Sequence, residues 1–188
     1  LNGPSMHQLA QDALRELGEM FSRLPEDAAD GLLDAIVAAR TVALHGLGRE
    51  GLQMRGFAMR LFHMGRNVHV VGDMTVPPLG LGDLLFVSIG PGTLRTTETL
   101  MQIARDAGAR VALITAQPEG AAARLADVVV HLPAQTMAND QGSRQSVLPM
   151  GSLFETAQML FFEFAILRLR ERLGESAESM RARHTNLE

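Results

Sequence analysis

Between Thr41 and Leu132 the apolar period of the chain switches repeatedly, and no other feature restricts the possible folds as much. Short apolar runs at Val42–Leu47, Asn67–Val71, Leu84–Ile89, Val111–Thr115 and Val128–Leu132 alternate with segments of helical period at Leu52–Met64, Thr93–Ala107 and Gly120–Leu125. Strands with little polar alternation are buried on both faces, and strands that alternate with helices form a parallel sheet covered on both sides. The expected class is α/β: a three-layer α-β-α sandwich around a five-stranded parallel sheet. Right-handed crossovers suit the flavodoxin-like order 2-1-3-4-5, one of the two common doubly wound orders. The link from the second strand to the third, GDMTVPPLGLGD, has no helical period and predicts an irregular crossover.

The flanks read as helices. Leu9, Ala13, Leu17, Met20 and Leu24 recur at three- and four-residue steps, which predicts an amphipathic helix over Met6–Leu24. Pro25 suits the first position of a second helix, PEDAADGLLDAIVAA, whose acidic first turn matches the helix dipole. After the fifth strand, Pro133–Pro149 has loop composition. A strongly apolar helix follows from about Ser152, with Arg168, Arg170 and Arg172 in its last turns. It is too apolar for a one-sided surface helix, so part of it is expected in an oligomer interface. A last helix, Glu175–Arg183, leads into RHTNLE. A length of 188 residues fits one domain, 1–188, with residues 1–40 as an N-terminal helical pair and 1–5 resembling a cloning remnant before a start methionine.

Several chemistries are excluded by residues the chain lacks. Without Cys there are no disulfides, thiolate metal sites or cysteine nucleophiles, and without Lys there is neither Schiff-base chemistry nor a P-loop lysine. A net charge of −4 with no Trp and no Tyr argues against a nucleic-acid partner. No apolar run has the length of a membrane span, and the first residues lack the form of a signal peptide, so no membrane partner and a cytoplasmic location are expected. His63, His69 and His131 have no zinc-motif spacing, so no metal is expected. His45 is expected in strand packing.

In the order 2-1-3-4-5 the chain reverses between its first and third strands, and ligands of open α/β sheets bind at that crevice. Two glycine-marked loops leave those strands, Gly46–Gly51 and Gly90–Thr97. Backbone N–H groups at such loops, with Gly48, Arg49, Gly90, Gly92, Thr93, Arg95, Thr96 and Thr97, suit a phosphate. The same threonines equally suit plain helix capping.

The segments GLGREG, FAMRLFHMGRNVHVVGD, GDLL, LPMGSLFE and RHTNLE together resemble the 6-phospho-3-hexuloisomerase family of sugar isomerase (SIS) domain proteins, over about Thr41 to Glu188. That resemblance implies a homotetramer without cofactor in the ribulose monophosphate route. The implied reaction interconverts 3-hexulose 6-phosphate and fructose 6-phosphate by enediol proton transfer. By motif position, Glu155 is the implied general base. His184 is the implied proton shuttle or carbonyl polariser.

Two loops depart from the family pattern. Where the family has GRSG this chain has GREG, placing Glu50 at a phosphate-contacting serine, and GPGTL replaces GSGET, bringing in Pro91 and Leu94. Glu50 beside a phosphate is repulsive, so it is expected to turn away or to find Arg49, Arg55 or Arg95. Two readings follow: an isomerase with a rebuilt, arginine-assisted loop pair, or a non-catalytic or altered SIS module that binds or regulates.

Overall fold

The structure, a computed structural model, describes residues 3–142 and 145–187. Strands β1 (Val42–His45), β2 (Val68–Val70), β3 (Leu84–Ser88), β4 (Arg110–Thr115) and β5 (Val128–His131) form one all-parallel sheet in the order β2-β1-β3-β4-β5. This is the expected order. Val42 pairs with Val68 on one side and Leu84 on the other, so the chain reverses direction across the sheet between β1 and β3.

Alternation along each strand builds two cores. Val42, Leu44, Leu84, Phe86, Ala112 and Ile114 face the larger one, which is closed by α1 (Met6–Phe21), α2 (Asp30–Ala38), α3 (Gly48–His63) and α5 (Ser152–Leu173). Ala43, Leu85, Val87, Val111 and Leu113 face the smaller one, under α4 (Arg95–Asp106) and a 3₁₀ turn at Ala122–Leu125. Three rings lock α3 and α5 to the sheet: Phe57 stacks on Phe162 at 4.3 Å, and both meet Phe86 edge-on at 6.0 and 5.9 Å. A last short helix, α6 (Ala177–Ala182), packs on α3.

Some boundaries differ from the sequence reading, each for a local reason. Residues 25–29 make turns in which Ala28 N–H donates to Pro25 C=O at 3.1 Å and Asp30 N–H to Asp27 C=O at 2.9 Å, so α2 starts at Asp30 and not at Pro25. Of the apolar stripe on α1, Leu17 and Met20 are buried while Leu9 is 39% exposed, because only the C-terminal half of the helix lies on the core. α3 begins at Gly48, four residues before the expected start at Leu52. The glycines there serve a close approach: a Cβ on Gly51 would stand 2.4 Å from Gly46 O. The β2–β3 link is irregular, as expected.

Candidate active site

Arg49 and Glu50, in the first turn of α3, point in different directions and organise the site between them. Arg49 reaches the start of α5. Its Nε lies 3.0 Å from Glu155 Oε2, and its other nitrogens donate to Ser152 Oγ at 2.7 Å and Met150 C=O at 2.5 Å. Met150 and Gly151 turn that carbonyl toward the arginine with left-handed φ values of 54° and 83°. For a residue with a side chain such as Met150 this conformation costs about 1 kcal/mol or more.

Glu50 turns inward, to a partner that is none of the three arginines considered. Its carboxylate accepts from the Gly90 N–H at 3.1 and 2.9 Å and from the Ser88 hydroxyl. A Cβ on Gly90 would stand 2.9 Å from Glu50 Oε1, so the loop after β3 needs glycine for this approach. Burial pushes the Glu50 carboxyl above the usual carboxylate range; the bonds from Ser88 and Gly90 act against that, and the neighbouring Glu155 adds to it.

Glu50 and Glu155 line one cavity of about 100 Å³, with Pro91, Thr136, Met150 and Phe154 among its other walls. Burial raises Glu155 as well, and the Arg49 guanidinium pulls it part of the way back. The result is a carboxylate placed by an ion pair on a helix's first turn and poised nearer neutrality than a surface glutamate. Such a group can take a proton from carbon.

The second loop is also internally bonded. Glu98, one turn into α4, accepts from the Leu94 N–H and the Thr93 hydroxyl, both at 2.7 Å. Arg95 and Thr96 are exposed, whereas Thr97 is fully buried and its Oγ1 has no hydrogen-bond partner among the described residues. His45 ends β1 with Nε2 buried and likewise without such a partner, and burial lowers its pKa. Gly48 and Gly92 take left-handed φ values of 58° and 83° at the heads of the two loops.

His184 stands elsewhere. Its ring stacks on His63 with centroids 5.2 Å apart, in a surface pocket that also includes Met59, Arg60, Arg170 and Arg181. His63 is the last residue of α3, while Arg49 is in its first turn. Fourteen helical steps separate them, about 21 Å at 1.5 Å per residue. One chain therefore brings together Glu155, Arg49 and Glu50, and does not bring His184 to them.

Sequence reasoning missed Ser88 and Glu98. The signal for Ser88 was its polarity inside a buried run, since a buried hydroxyl requires a partner. For Glu98 it was an acid in the first turn of a helix, positioned to satisfy the loop's donors. Among the described residues there is no cluster of His, Asp and Glu able to hold a metal, and no helix is long and apolar enough to cross a membrane.

A sequence model of the SIS domain matches residues 35–160, the stretch that carries the sheet and both loops. The chain belongs to the SIS domain family. It is 36% identical over 177 residues to a Bacillus subtilis 3-hexulose-6-phosphate isomerase, covering 94% of this chain and 96% of that one. A Mycobacterium gastri protein of the same name is 38% identical over 173 residues, covering 92% and 86%. Among solved structures, a Methanococcus jannaschii protein described as inferring a function of 3-hexulose-6-phosphate isomerase superposes with a TM-score of 0.79 at 27% identity, over 96% of this chain and 97% of that one. The resemblance read from the motifs and the SIS fold both stand on these matches.

Proposed function

We propose that this SIS domain protein is a sugar-phosphate isomerase acting between 3-hexulose 6-phosphate and fructose 6-phosphate. The observation that carries the reading is the Arg49–Glu155 pair at 3.0 Å beside a cavity at the reversal of the sheet. The Glu155 carboxylate takes the proton from C2 of the 3-hexulose, the C2–H electrons form the C2=C3 bond, and the C3 carbonyl oxygen becomes the enediolate oxygen. Return of the proton to C3, with collapse of the C2 oxygen to a carbonyl, gives the 2-ketose. The oxygen-bound proton must move from O2 to O3, a task suited to an imidazole. No cofactor has a part in this sequence, and the named relatives give no support to the non-catalytic alternative.

His184 takes that part from another copy of the chain. The cavity beside Glu155, at about 100 Å³, falls well short of the roughly 300 Å³ at which ordinary small-molecule sites begin. Met59, in the pocket with His184, and Phe62, beside His63 on α3, are 50% and 52% exposed, and Met159 and Leu167 on α5 are exposed too. Apolar side chains of this size on adjoining helices favour burial against a second copy, which is consistent with a homotetramer.

Mixing two inactive variants tests the reading. Glu155→Gln and His184→Ala should each lose about 10²-fold or more in kcat from 3-hexulose 6-phosphate, read as fructose 6-phosphate. Unfolded together and refolded together, they should recover up to about a quarter of wild-type activity, the random share of sites with both groups intact. Full activity in Glu155→Gln would refute the base assignment, and no recovery from the mixture would place His184 outside the neighbour's site.

A further inference from the structure

Backbone N–H groups at the head of a parallel sheet, where two loops run into helix N-termini, form a seat for an anion. In this chain the seat has an occupant of its own. Gly90 N–H, two residues past the end of β3, is bonded to both oxygens of Glu50, and Ser88 adds its hydroxyl to the same carboxylate. The neighbouring donors, Leu94 N–H and the Thr93 hydroxyl, are bonded to Glu98. Pro91 between them has no N–H to offer. Among the described residues neither Glu50 nor Glu98 is in an ion pair, so no arginine cancels either charge.

We infer that Glu50 is a specificity-determining residue: its carboxylate occupies the anion seat between the two loops, excludes a phosphate group from it, and presents its remaining lone pairs to a substrate hydroxyl. A carboxylate offers about four lone-pair positions, and the Gly90 N–H and Ser88 hydroxyl leave part of that capacity unused. Glu50 also lines the cavity it shares with Glu155, so a hydroxyl on the carbon chain held there can donate to it. A phosphate dianion at the same place would meet a like charge and find its donors taken. Where the substrate is a sugar phosphate, its phosphate therefore lies away from Gly90, and the polyol end faces the loops. The substrate's orientation rests on the isomerase reading; the exclusion of phosphate does not.

Inorganic phosphate is the probe, titrated by calorimetry into the full-length wild type, Glu50→Ser and Glu50→Gln at a pH near 8. Glu50→Ser should bind phosphate at least about tenfold more tightly than wild type, and Glu50→Gln, which keeps the size and loses the charge, should also bind more tightly than wild type. Wild-type affinity equal to that of both variants would overturn the inference. If Glu50→Ser does not fold, the near-isosteric Gln variant decides alone by the same criterion. In turnover, Glu50→Ser should change KM for the hexulose phosphate more than kcat, whereas Glu155→Gln removes kcat. Absence of isomerase activity in every protein would sink the proposed reaction, and the phosphate titration would still decide the role of Glu50.

Discussion

Replacing Arg49 by Met keeps the bulk of the side chain and removes the cation paired with Glu155. At the 3.0 Å separation, a unit pair in a medium of effective dielectric 20 would attract by about 5 kcal/mol. Half of the Arg49 side chain is exposed, at 49%, against 15% for Glu155, so solvent screens most of that attraction. Ion pairs exposed to this degree keep no more than about 1 kcal/mol. The sign is fixed: loss of a neighbouring positive charge disfavours the carboxylate, and burial, already the larger influence on Glu155, is then opposed by less. The acidic limb of kcat/KM against pH should therefore move upward in Arg49→Met. The assay starts from 3-hexulose 6-phosphate and covers roughly pH 5 to 9. Ser152→Ala is the control, because it removes another Arg49 partner and leaves the ion pair. An acidic limb that stays in place or moves down in Arg49→Met would refute the assignment of that limb to Glu155.

Two further outcomes concern the scaffold. Phe162→Ala empties the ring cluster with Phe57 and Phe86 and should lower the free energy of unfolding by about 3–5 kcal/mol in urea titrations. Asp83, buried to 2% exposure, accepts from Arg40 Nε and Nη2 at 3.1 and 2.9 Å, and these bonds hold its carboxyl below the usual range. A depressed folded pKa gives stability that is present above the unfolded value near 3.9 and lost as pH falls through the folded value. The stability advantage of wild type over Asp83→Asn should accordingly be full near pH 7 and fade below about pH 4, as read from melting temperature against pH.

The sheet was legible because its strands are short continuous apolar runs alternating with helical segments: Leu84–Ser88 is buried at every position, as a strand covered on both faces requires. The crevice that hosts the candidate site was legible for a topological reason, since both glycine loops leave the strands where the order reverses. The start of α3 was not. Three glycines in six residues look like a flexible loop, while Gly51 is a helix residue chosen for its approach to Gly46. The direction of Glu50 was equally hidden, because Ser88 and Gly90 lie about forty positions away and no local period records them. Charge alone offered Arg49, Arg55 or Arg95 to Glu50, whereas Arg49 pairs with Glu155 and Glu50 is held by Ser88 and Gly90. For His184, motif position implied a role beside Glu155, yet its placement depends on how α6 folds back on the far end of α3.

The two faces of the sheet carry unequal loads. One is covered by four helices, whereas the other has α4, a single 3₁₀ turn and the irregular link at residues 72–82. Cooperative units with less buried apolar area open at lower free energy than the whole molecule. In amide exchange the α4 layer should thus open as a separate unit, carrying Thr93 and Glu98 with it, while Arg49, Glu155 and the aromatic cluster stay closed on the other side. The easiest breathing motion is thereby expected on the face away from the Arg49–Glu155 pair, and it reaches the shared cavity only through the loop at Pro91.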